Sequence, residues 1–271
     1  MDALDIRLPH NHQTVVSRLV AACQADERVV AAFLGGSYAR GTADSYSDLD
    51  LGLITSDAAY EDFLAGWAAF IRLLGEPVFL ESFNLPNIVF FIYADGTECE
   101  LALGRASQFT NMHSGPYSVL LDKHGILSET VFPWHEPDQA EQIETLRRLI
   151  AWFWHDLSHF ITAMGRGHLW WAYGQLEELR RQCVNLARLR QNFSAAADGY
   201  EKVDQALPGA HLSPLKATCC PLERGAMLQA GRVLVRFYQE LAPLLAQTHG
   251  ITYPADLERV MIARLEQVGD A

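Results

Sequence analysis

The polar and apolar positions change rhythm part-way along the chain. Between about residues 28 and 122, short apolar runs alternate with turn-forming residues, and Val29–Leu34, Leu49–Ile54, Pro77–Leu80, Ile88–Tyr93 and Glu98–Leu103 read as strands. Asp95-Gly96 between the last two is a two-residue hairpin signal and makes them antiparallel neighbours. A helix with Val15, Leu19 and Ala22 inward precedes the first strand, and another spans roughly Tyr60–Leu74.

Beyond Pro133 and Pro137 the period becomes helical. Ile143, Leu146, Ile150, Phe153, Leu157, Phe160 and Met164 recur at +3 and +4 steps, and Gly165 and Gly167 end the run. Leu169, Ala172, Leu176, Leu179, Cys183 and Leu186 repeat the rhythm. Met227, Ala230, Leu234, Phe237 and Leu241 form a third series, and a last one follows Pro254. Single apolar stripes with short connections predict an antiparallel bundle. The expected architecture is α+β: a mixed sheet with flanking helices over 1–130 and an all-α bundle over 131–271, the boundary falling near 125–138.

The stretch Phe33-Leu34-Gly35-Gly36-Ser37-Tyr38-Ala39-Arg40 runs from an apolar strand into two glycines, a serine and a short helix. Glycine lets backbone approach a ligand closely, and the N–H groups that follow favour an anion. Ser37 adds a hydroxyl and Arg40 a permanent charge, so the segment reads as a phosphate seat. Ser47 could fix the turn that presents Asp48. Asp48-Leu49-Asp50 then opens the next strand. Residues two apart share a strand face about 6.6 Å apart, and paired carboxylates there suit divalent ions that hold a triphosphate. After the hairpin turn, Glu98 and Glu100 also share a face. Glu100, within an apolar run, is the preferred third carboxylate. Glu98 is nearer the turn and reads as solvated.

This order of elements resembles the nucleotidyltransferase superfamily of DNA polymerase β type, whose signature is Gly-Gly/Ser, about ten residues, Asp-x-Asp/Glu and a later carboxylate. Gly36-Ser37, Asp48, Asp50 and Glu100 match those positions, and the whole chain looks like the aminoglycoside and lincosamide nucleotidyltransferase branch. Gly35 departs from the pattern, since many members have a larger apolar residue there. Val119-Leu120-Leu121-Asp122-Lys123-His124-Gly125 is similar to the strand end that closes many such catalytic domains. The resemblance implies magnesium-dependent transfer of a nucleotidyl group, AMP from ATP, to a hydroxyl of a small molecule such as an antibiotic, with release of pyrophosphate. Asp48, Asp50 and Glu100 would be the catalytic and metal-binding set, with two Mg²⁺ ions. Gly36, Ser37, Arg40 and Lys123 would bind the nucleotide. Whether Glu100 is the general base or a ligand to a second metal stays open, because both roles place a carboxylate beside the nucleophile.

Four of the six tryptophans lie at 152, 154, 170 and 171. A helix apolar on two faces has two partners, so one face of this region is expected in the bundle and the other toward the cleft. Trp154, Tyr173 and Glu177 are the substrate-side candidates. The net charge of −12 disfavours a partner held by its phosphate backbone. Five scattered cysteines suggest reduced thiols in a cytoplasm, and Cys219-Cys220 reads as a helix start before Pro221. Met1–Asp5 shows no leader pattern and no apolar run is long enough for a membrane span. A monomer or homodimer is expected. Competing functions are a nucleotidyltransferase for a protein or RNA hydroxyl, as in toxin–antitoxin systems, and a nucleotide sensor without catalysis.

Overall fold

The structure, a computed structural model, describes residues 8–133 and 136–269; Met1–Asp5 lies outside the described residues. The chain divides into two compact units, Met1–Trp134 and His135–Ala271.

In the first unit the order is α1 (His10–Ala25), β1 (Val29–Leu34), α2 (Gly36–Ala39), β2 (Leu49–Thr55), α3 (Tyr60–Leu74), β3 (Pro77–Glu81), β4 (Ile88–Tyr93), β5 (Glu98–Arg105) and β6 (Ser118–Asp122). Among the described residues the strands form one mixed sheet in the order β3-β4-β5-β2-β1-β6. Only β2 and β5 run parallel, which follows from the α3 crossover between β2 and the antiparallel strands β3, β4 and β5. Alternation along the strands divides the side chains between two faces. Leu49, Leu51, Leu53, Val89, Phe91, Leu101 and Leu103 join Val15, Leu19, Phe63, Phe70 and Ile71 of α1 and α3 in one core. The opposite face of β1 is covered by a smaller cluster in which Phe33, Ile54, Phe109, Leu127 and Phe132 meet. Burial on both faces explains why β1 reads as an unbroken apolar run. The rest of that second face carries Asp50, Glu100 and Phe90, none of them in either core.

The second unit is helical: α4 (Gln139–Gly165), α5 (Leu169–Leu189), α6 (Val203–Ala206), α7 (Gly209–Lys216), α8 (Arg224–Thr248) and α9 (Ala255–Gly269). Asp138 caps α4 with a reciprocal capping box to Glu141. Gly167, at φ 70°, turns the chain from α4 into α5. Cys219 and Cys220 follow the end of α7 and precede Glu223, the cap of α8, so they lie in a connection and not at a helix start. No helix of the described residues is long and apolar enough to cross a membrane.

Phe153 and Tyr238 stack with centroids 3.7 Å apart and 9° between planes, at the centre of the bundle core. Phe153→Ala is expected to cost about 3–5 kcal/mol of stability through lost transfer energy and the cavity left behind. Reversible denaturation measures it, and a loss below about 1 kcal/mol would contradict this packing account.

Candidate active site

The site is built where β1 ends. Gly35 N donates to Asp50 O at 2.8 Å, tying the loop to β2. Gly36 follows in the left-handed region at φ 57°, and a β-carbon built on it would fall 1.5 Å from Asp50 Oδ2. The bare glycine is therefore the surface on which the Asp50 carboxylate rests. Ser37 is the second residue of α2; its hydroxyl oxygen is buried with no hydrogen-bond partner. Burying an unpaired hydroxyl is costly, which marks Ser37 Oγ as a group suited to a polar partner. A turn precedes Asp48: Ser47 Oγ accepts from Asp44 N at 2.9 Å, and Asp44 Oδ1 accepts from Tyr46 N at 2.9 Å.

Strand register brings the carboxylates together. Asp50 lies directly opposite Glu100 across the parallel β2–β5 pair, so both side chains project from one sheet face. Asp48 immediately precedes β2. Burial, then repulsion from Asp48, raises the Asp50 proton affinity, while Arg40 and His113 oppose the rise. The Glu100 carboxyl is raised by burial first and then by Asp50 and Asp48. Glu98 contributes to neither shift. The candidate third carboxylate that shares the field of the aspartates is thus Glu100.

A cleft of about 260 Å³ opens over these residues, lined among others by Gly36, Arg40, Asp50, Glu100 and His113. His113 is a residue that sequence reasoning missed. Its ring packs on Phe33 and Phe132, with centroids 5.3 and 5.1 Å away, and Nε2 donates to Pro116 O at 3.0 Å. A β-carbon on Gly35 would come within 2.7 Å of the His113 ring. The departure at Gly35 therefore makes room for an imidazole at the cleft wall. Behind the loop, Tyr38 hydroxyl and His12 Nδ1 are 2.6 Å apart and buried; desolvation keeps the imidazole below its ordinary pKa.

Three expected residues are placed elsewhere. Lys123 donates its ammonium to Asp26 O at 2.8 Å, and its backbone N–H bonds to Val30 O. Val30 is at the start of β1 and Gly36 past its end, roughly 20 Å apart at strand rise, so Lys123 does not reach the phosphate seat. Trp154 is 3% exposed and edges against Phe153 and Tyr238 in the bundle core; it has no surface for substrate. Glu177 accepts from Arg180, whose guanidinium also donates to Thr218, and it serves that network. Tyr173, on α5, is exposed.

A family model, streptomycin adenylyltransferase, matches residues 10–268. The chain belongs to this family. By family it is an adenylyltransferase enzyme. Among solved structures, aminoglycoside 6-adenyltransferase from Bacillus subtilis is similar at 16% identity, covering 97% of this chain and 100% of that one, with a TM-score of 0.46. A nucleotidyltransferase-like protein from Exiguobacterium sibiricum is 13% identical over 88% of this chain and 77% of that one, with a TM-score of 0.39. No curated protein sequence matches.

Proposed function

We propose that this adenylyltransferase moves AMP from ATP to a hydroxyl of a cationic, small-molecule antibiotic of the streptomycin type. The observation that carries the reading is the opposition of Asp50 and Glu100 beside Gly36 and the unpaired Ser37 hydroxyl. Ser37 Oγ and Arg40 are suited to bind the β- and γ-phosphates. The substrate oxygen attacks the α-phosphorus, the bond from that phosphorus to the bridging oxygen breaks, and pyrophosphate departs. Glu100 takes the hydroxyl proton, a role favoured by its raised proton affinity.

Among the described residues no three His, Cys, Asp or Glu side chains form a ready-made metal cluster. Mg²⁺ is commonly held by one or two carboxylates completed by substrate phosphates and water. Asp48 and Asp50 fit this arrangement, and Glu100 lies opposite Asp50 on the neighbouring strand. The ion would supply charge neutralisation at the phosphates. The net charge of −12 favours a cationic acceptor over a nucleic acid. We place the enzyme in the cytoplasm, where ATP is available and its free cysteines remain reduced.

The two glutamates of β5 test the assignment. With ATP, Mg²⁺ and streptomycin, Glu100→Gln is expected to lower kcat by about 10²–10⁴-fold, the range for loss of a general base. Glu98→Gln is expected to stay within about twofold of wild type, as surface substitutions generally do. The reverse ranking in a pyrophosphate-release assay would reject Glu100 as the base.

A further inference from the structure

Strand register extends the site beyond the carboxylates. Asp50 pairs with Glu100, Glu100 with Phe90, and Phe90 with Glu81. These four residues form one cross-strand row on a single face, and adjacent strands are about 4.8 Å apart. Next to Glu100, therefore, the face turns aromatic. The rings of Phe79, Phe83 and Phe90 form a triangle with centroids 6.1–6.5 Å apart. Phe79 is 42% and Phe83 60% exposed. Phe83 sits in a fixed turn: it adopts φ 50°, unusual for a bulky residue, and Glu81 Oε1 accepts from Ser82 N and Phe83 N to hold that turn.

In-line displacement decides what such a platform serves. The phosphate seat at Gly36, Ser37 and Arg40 lies at the end of β1, to one side of Asp50. The sheet order then runs β2, β5, β4, β3. Pyrophosphate leaves toward β1, so the attacking hydroxyl comes from the opposite side, over β5 and β4. The charge agrees: Pro77 to Gly104 contains no Lys, Arg or His but four acidic residues, Glu81, Asp95, Glu98 and Glu100. A triphosphate finds no partner there, whereas a cation does, and aromatic faces attract cations directly.

We propose that Phe79, Phe83 and Phe90 form the acceptor subsite, against which a cationic sugar or cyclitol ring stacks while presenting its hydroxyl to Glu100. This rests on the adenylyl-transfer reading above. The test uses the full chain with Mg²⁺ and ATP and varies the acceptor, taking streptomycin and a panel of other aminocyclitol antibiotics as probes. The double variant Phe79→Ala/Phe83→Ala changes exposed rings and should fold. For the best acceptor of the wild type its KM is expected to rise about tenfold, the scale of lost aromatic and cation contacts, while KM for ATP stays within twofold. Phe83→Trp, which keeps a ring, should lose far less than Phe83→Ala. Calorimetric titration of the same acceptor should show the same loss without turnover. An unchanged acceptor KM in an active double variant, whatever its oligomeric state, would overturn the subsite and leave the reaction standing. A rise in KM for ATP instead would put the nucleobase on the platform, overturning it too. Wild-type protein that releases no pyrophosphate with any of these acceptors would defeat the reaction itself, and the subsite with it.

Discussion

Asp50→Asn is expected to abolish adenylyl transfer, by about a thousandfold or more, in a protein that remains folded. The estimate corresponds to roughly 4 kcal/mol, within the several kcal/mol a metal-held carboxylate contributes at a transferring phosphoryl group. The same substitution should leave the thermal midpoint of the ligand-free protein unchanged or higher. The Asp50 carboxyl is raised by burial and by Asp48, so its folded pKa exceeds the unfolded one. Such a group costs stability where it is ionised, and the cost is relieved as pH falls through the folded pKa. Asparagine removes the charge and hence the cost. By the same sign, in the ligand-free protein the cost of ionising Asp50 and Glu100 is relieved as pH falls, because burial and repulsion from neighbouring carboxylates make both take up protons early. A rate assay and melting curves of the ligand-free protein at several pH values check these statements. A variant within tenfold of wild type would remove Asp50 from the mechanism, and a large drop in melting temperature would recast it as structural.

Gly36→Ala should be nearly as damaging, for a steric reason. At φ 57° the added methyl already carries the left-handed penalty of roughly 1–2 kcal/mol. It would also sit 1.5 Å from Asp50 Oδ2 and 2.4 Å from its carboxyl carbon. The backbone must move or the carboxylate must swing away, and either displaces the phosphate seat relative to the metal ligand. Misplacement of about 1 Å can cost on the order of a hundredfold in rate, so kcat/KM should fall by about that factor or more. Gly41→Ala is the informative comparison: it shares a positive φ of 69°, yet nothing lies within 4 Å of the added carbon. If both variants behave alike, backbone strain and not the Asp50 contact governs the loop.

Much of this is legible in the sequence, for physical reasons that also mark where legibility ends. A strand imposes a period of two, so Asp48-Leu49-Asp50 and Glu98-Cys99-Glu100 announced their faces. Asp95-Gly96 announced the β4–β5 hairpin, with Gly96 at φ 83°. The parallel alignment of β2 with β5, which sets Asp50 opposite Glu100, has no local signal because α3 and two strands intervene. His113 escaped for the same reason: it comes from a segment without periodicity and reaches the cleft through Phe33 and Phe132. Lys123 was misplaced because β6 runs antiparallel to β1, which carries its end away from Gly36. Trp154 was misjudged because α4 packs against α5, α8 and α9, so its buried surface is wider than one stripe. Phe79 and Phe90 carry no signal of their own in the sequence, because only the register of β3, β4 and β5 sets them beside Glu100.

In adenylyl transfer the α-phosphoryl group of ATP, with its nucleoside, ends on the acceptor hydroxyl. Parallel reactions with ATP labelled at the α- or the γ-phosphorus, with Mg²⁺ and streptomycin, test it most directly. α-Label is expected on the antibiotic and γ-label in pyrophosphate, with neither product formed by Asp50→Asn. Recovery of γ-label on the antibiotic would show phosphoryl transfer and contradict the account.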